Sequence, residues 1–130
     1  MQPEVITRQI GQWTVQERIP AGLGPHPVLL LAHGLTGDES VMWIFTSRLS
    51  KAYLMIAPRG LHPSILGGYG WHASIERRWP TWQDMLPAVE TLLELLSPEN
   101  FPEADFSRMH AMGFSQGAAF LYTIALLHPE

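Results

Sequence analysis

Polar and apolar residues alternate near the start of the chain. In residues 12–19, QWTVQERI, Trp13, Val15 and Ile19 fall on one face and Thr14, Gln16 and Arg18 on the other. Such period-two alternation marks a half-buried strand. Residues 5–10, VITRQI, are also rich in β-branched side chains, and Gly11 between the runs can take a positive φ, so a hairpin is predicted. The glycines and prolines of AGLGPHP (21–27) predict a loop. The pattern then changes to short continuous apolar runs: VLLLA (28–32), YLMIA (53–57) and, with one histidine, MHAMGF (109–114). Strands buried on both faces of a helix-covered parallel sheet read this way.

Helical patterns lie between these runs. In 40–52, Val41, Phe45, Leu49 and Ala52 form a stripe with Asp38 as a cap. In 84–97, Met85, Leu86, Val89, Leu92, Leu93 and Leu96 line one face. With Asp84 as N-cap, Pro87 falls in the first turn, where its missing N–H costs nothing. A last helix is predicted over 117–128, stopped by Pro129. Strands alternating with helices predict an α/β sheet with right-handed parallel crossovers. Residues 58–83 show no clear periodicity. This long segment leaves the C-terminal end of strand 53–57, the sheet edge where open α/β folds bind ligands.

Composition narrows the function. The chain has 130 residues, 46% hydrophobic and 15% charged, which fits one globular domain. A net charge of -4 gives no basic footprint for nucleic acid. The absence of cysteine excludes disulfides, thiolate metal sites and cysteine nucleophiles. No apolar run reaches the roughly 18 residues of a spanning helix, and the N-terminus has no signal-peptide core, so a cytoplasmic protein is expected. No His/Asp/Glu cluster suggests a metal, and Asp38-Glu39 reads as a helix start. The Gly67-Gly68-x-Gly70 run has no following lysine and is not a phosphate loop. No cofactor is expected.

The chemistry centres on Gly113-Phe114-Ser115-Gln116-Gly117. Gly-x-Ser-x-Gly is short and also occurs in ordinary glycine-rich loops. Here an apolar strand precedes it and a small-residue helix start, Gly117-Ala118-Ala119, follows. A serine on such a strand-to-helix turn exposes Oγ as a nucleophile, and the flanking glycines allow strand and helix to approach closely. The N–H of Gln116 then becomes one oxyanion donor. A second should come from a loop after an earlier strand at the same edge. In LLLAHGLTGDES (29–40), Gly34 allows a sharp turn and the Leu35 N–H is the candidate; taken alone, the stretch also reads as an ordinary strand-to-helix turn.

LLLAHGLTGDE, APRG, GYGWHA and RMHAMGFSQGAA, in this order, resemble the phospholipase/carboxylesterase family of α/β-hydrolases, which includes acyl-protein thioesterases. The resemblance runs from about residue 13 to the end of the chain. It implies an α/β-hydrolase fold and a Ser–His–Asp hydrolase of small carboxylic esters or thioesters, with Ser115 as nucleophile and Leu35 and Gln116 as amide donors. In that fold acid and histidine follow the serine. After Ser115 this chain holds only Glu130 and His128, and His128 would lie on the order of 20 Å from Ser115 along the helix. The expectation is therefore one partial domain over 1–130: an N-terminal hairpin plus three parallel strands with flanking helices, truncated after the nucleophile elbow and its helix.

Upstream groups are candidates for pocket lining. His33 sits beside the oxyanion loop, where a positioning role is favoured. His72 reads as a pocket residue or a solvated loop histidine, and His110 as a half-buried structural group. His26 and His62 neighbour prolines and carry no signal. Tyr69, Trp71, Trp79 and Trp82 form an acyl-chain wall or pin the loop to the domain, and Arg77-Arg78 reads as a solvated pair. Strand 109–114 would be an exposed apolar edge, through which two chains could pair. The rival to catalysis is a non-catalytic half-domain serving binding or assembly.

Overall fold

The computed structural model describes residues 4–49, 51–73 and 80–128. The Arg77-Arg78 pair, Trp79 and Glu130 lie outside the described residues. A five-stranded sheet has the order β1-β2-β4-β3-β7, built from β1 (Ile6–Ile10), β2 (Trp13–Arg18), β3 (His26–Ala32), β4 (Leu54–Pro58) and β7 (Ala104–Gly113). A separate two-stranded ribbon pairs β5 (His62–Pro63) with β6 (Tyr69–Gly70). The hairpin β1–β2 is antiparallel, with Gly11 at φ 57° in its turn. Strand β2 runs antiparallel to β4, whereas β4, β3 and β7 are mutually parallel.

Strands β3 and β4 are buried on both faces, as their unbroken apolar runs predict, whereas β7, read the same way over 109–114, is only half-buried or exposed because it lies at the sheet edge. On one face Val28, Leu30, Leu54 and Ile56 meet Met85, Val89 and Leu92 of α1 (Trp82–Leu95) and Phe120 of α2 (Gln116–Leu127). On the other, Leu29, Leu31, Met55 and Ala57 pack with Met42. Glu17 shares the inward face of β2 and is 2% exposed. Arg8 on β1 reaches across to it at 2.8 Å and keeps the buried charge paired. Among the described residues, no helix is long and apolar enough to cross a membrane.

Three expectations need correction. The helix over 40–52 is only a 3-10 turn, Val41–Phe45. The first half of its stripe faces outward: Val41 and Phe45 are exposed, while Met42 and Thr46 are buried and Leu49 packs against the core. The Asp38 carboxylate accepts both the N–H and the hydroxyl of Ser40, closing a local turn that competes with helix. Trp43 Nε1 donates to Gln16 on β2, and the Thr46 N–H and hydroxyl both turn back to the Trp43 carbonyl. Helix α1 starts earlier than expected, with Thr81 as N-cap; Asp84 is the third helical residue and accepts the Thr81 N–H. Pro87 therefore lies inside the helix and one backbone bond is missing. Strand β7 begins at Ala104 rather than 109, and its register on β3 shifts between Pro27 and Val28.

Strand β7 lies at the edge of the sheet, and Tyr122 and Leu126 on the adjoining α2 are 71% and 79% exposed. Residues 1–130 expressed alone are expected to self-associate through β7. Sedimentation velocity checks this; a stable monomer across the accessible concentration range would refute it.

Candidate active site

Ser115 sits between the end of β7 and the first residue of α2, at φ 54° and ψ -115°. A non-glycine residue at positive φ is strained, and such strain persists only where the surroundings enforce it. The surroundings here are close-packed backbone. A Cβ on Gly113 would lie 2.6 Å from the Ala118 nitrogen. One on Gly117 would collide with the carbonyl oxygens of Ala32 and His33 at the end of β3. The start of α2 is thus pressed onto the end of β3, and the chain can make the connection only through a tight turn. Ser115 is exposed, and its side chain makes no capping bond to the helix.

The loop after β3 lies directly against this turn. A Cβ built on Gly34 would be 3.5 Å from Ser115 Cβ and 3.1 Å from the Phe114 carbonyl oxygen. The Gly37 N–H donates to the Gly34 carbonyl at 3.0 Å, closing a β-turn with Thr36 at φ 72°. Positive φ at the third position defines a type II turn. Thr36 is held there from outside: its N–H donates to the Tyr69 carbonyl, and the Tyr69 N–H donates to the Gly37 carbonyl. Leu35 occupies the second position, and among the described residues no backbone acceptor engages its N–H or that of Gln116.

His33 lies beneath the loop and does not line a pocket. It is fully buried; Nδ1 is 2.6 Å from the Gly34 carbonyl and Nε2 accepts the Gly60 N–H at 2.9 Å. Those partners fix a neutral ring protonated at Nδ1. Burial is the main cause of its lowered pKa, opposed by the bond to Gly34. Trp71 is also fully buried and forms no acyl wall. Its indole stacks on Phe120 at 4.4 Å and donates to the His33 carbonyl at 2.7 Å. The loop is therefore pinned to the domain by this aromatic, while Trp82 on α1 is half exposed.

Tyr69 is half-buried, and Arg59 stacks over its ring at 4.5 Å. Arg59 also grips Glu39 with two bonds, of 2.7 and 3.0 Å. This fork holds the Glu39 carboxyl below its usual range. In the sequence Asp38-Glu39 reads as a helix start, and Arg59 in APRG, one residue past β4, is the visible signal of the pair. His72 is half-buried beside the Ser115 turn, 3.0 Å from the Gln116 amide nitrogen. His110 is exposed, edge-on to Tyr53, rather than half-buried. His128 caps the far end of α2.

No family model matches the chain, and no curated protein matches it. Solved structures do. A carboxylesterase from Mesorhizobium loti superposes with a TM-score of 0.79 at 20% identity, over 96% of this chain and 59% of that one. YahD, solved with malic acid, gives 0.65 at 18% identity over 93% and 57%. An esterase from Mycobacterium tuberculosis gives 0.58 at 20% identity over 99% and 38%. This chain has the α/β-hydrolase fold. It spans little more than half the length of the first two of these structures and less of the third.

The buried histidine sets a pH dependence. His33 has its folded pKa below the ordinary 6.5, so around that pH the unfolded chain binds more protons than the native one. Stability is therefore expected to fall as pH drops through 6.5, with burial of His62 adding in the same sense. The carboxylates of Asp38 and Glu39, held low, act only at more acidic pH. Urea unfolding between about pH 7 and 5.5 should show the loss, and His33→Asn should flatten it. An unchanged slope in that variant would refute the assignment.

Proposed function

We propose that this chain is the nucleophile-bearing part of a serine hydrolase that cleaves small carboxylic esters. The observation that carries this reading is Ser115 at φ 54° on a glycine-flanked strand-to-helix turn, hard against the loop at Gly34. Neighbouring folds named carboxylesterase and esterase support it.

Ser115 Oγ attacks the ester carbonyl and a tetrahedral oxyanion forms. The N–H groups of Leu35 and Gln116 receive that oxygen, and the start of α2 adds a favourable field. The alcohol leaves, and water hydrolyses the acyl-enzyme. A histidine takes the Ser115 proton and delivers it to the leaving group, oriented by an acid. His33, His72 and His128 do not suit that part. His33 and His72 have both ring nitrogens engaged, and the twelve residues of α2 set His128 roughly 18 Å away. The base and acid are assigned to the part of the parent protein beyond this chain, as the greater length of the neighbours allows. Thioesters fit the same machinery.

Two experiments on the full-length parent test the reading. A fluorophosphonate should add one adduct by intact mass, lost in Ser115→Ala; a folded protein that stays unlabelled would sink the nucleophile assignment. Leu35→Pro removes the proposed donor at a turn position that favours proline. It should lower kcat by about 100-fold or more while the thermal transition is kept. An unchanged kcat would remove Leu35 from the oxyanion site.

A further inference from the structure

Gln116 does more than offer its backbone N–H. Its side chain turns to the segment that follows β6. Oε1 accepts the Trp71 backbone N–H at 3.0 Å, and Nε2 lies 3.0 Å from His72 Nε2. The first bond fixes the amide, because only its oxygen can meet an N–H. The NH2 end therefore faces His72, whose Nε2 must accept and carries no proton. His72 Nδ1 lies 2.6 Å from the Ala73 carbonyl and must donate. Partners on both sides thus set a neutral ring with its proton on Nδ1, the minor tautomer of a free imidazole side chain.

The same contact is enforced sterically. A Cβ on Gly70 would stand 3.1 Å from Gln116 Oε1 and 2.8 Å from Leu35 Cδ1. Residue 70 lacks a side chain where the segment crosses between the two proposed oxyanion residues. Behind it Trp71 is anchored by its stack on Phe120 and its bond to His33. The segment has a rigid base, and Gln116 is its tie to the nucleophile turn.

Resting on the reading of Ser115 as nucleophile, we propose that Gln116 is a positioning residue. Its side-chain amide, through the Trp71 backbone and the His72 ring, holds this segment against the nucleophile turn so that His72, not the buried Trp71 indole, borders the acyl site as a neutral acceptor. One residue then joins the substrate wall to an oxyanion donor. Small displacements of such a wall are costly, since a misplacement of about 1 Å can lower rates by roughly 100-fold.

The test uses the full-length parent and two variants of equal side-chain length. Gln116→Met removes both bonds. Gln116→Glu keeps an acceptor for the Trp71 N–H but turns a second oxygen toward His72 Nε2. Nitrogen-15 NMR of the wild type should show His72 protonated at Nδ1. In Gln116→Glu the His72 titration midpoint should move to higher pH, because a carboxylate favours the imidazolium. In Gln116→Met the tautomer preference should be lost and KM for an ester substrate should rise by about five- to tenfold. An Nε2-protonated ring in the wild type, or an unmoved midpoint in Gln116→Glu, would overturn the proposal. The NMR arms need no turnover, so they remain decisive if Ser115 fails to label, and that failure would fall on the nucleophile assignment alone.

Discussion

The first turn of α2 lies so close to the end of β3 that residue 117 can carry no side chain. A Cβ there would meet two carbonyl oxygens, those of Ala32 and His33. Much of the site follows from that approach. The chain must leave β7 at Gly113 and enter the helix at Gln116 within three peptide bonds. That leaves Ser115 in a backbone conformation that L-residues avoid, with its hydroxyl uncommitted to capping. The same approach brings the loop after β3 against the serine, since Gly34 continues directly from the strand end that α2 touches.

Around that contact, buried polar groups replace what hydrophobic packing cannot do. His33 links the turn at Gly34 to the backbone at Gly60, 27 residues later. Trp71 links the ribbon segment to the end of β3, 38 residues away, and to α2 through Phe120. Each bond has a partner in a different loop. The loops therefore share one frame, although each is irregular. The Arg59–Glu39 fork with Tyr69 closes the outer side of the frame.

The hairpin, the three parallel strands and α2 were legible in the sequence because their signals are local: alternation, unbroken apolar runs, and a helix start after Gly-x-Ser-x-Gly. The glycines at 113 and 117 were legible for the same reason, since a close approach demands them wherever the partner lies. What was not legible depends on residues far along the chain. Trp71 reads equally as a pocket wall or as a pin for its loop until Phe120 and His33 are seen to bury it. Glu17 reads as unremarkable until Arg8 crosses the hairpin to meet it. The stripe at 41–52 has helical spacing, yet Asp38 and Thr46 spend their side chains on local turns and Trp43 is drawn to Gln16. Periodicity cannot register such competitors.

Thr36 and Ser115 both hold positive φ, on either side of Gly34. Conformations of this kind cost on the order of 1–3 kcal/mol each, so a measurable share of the free energy that could have hardened the protein is held at one corner of it. Any selection for heat resistance will meet that reserve early, and glycine or asparagine at position 36 releases part of it without disturbing the core. The turn it relaxes is the one that presents Leu35. Stability and the exact presentation of that turn are thus set against each other at a single β-branched residue.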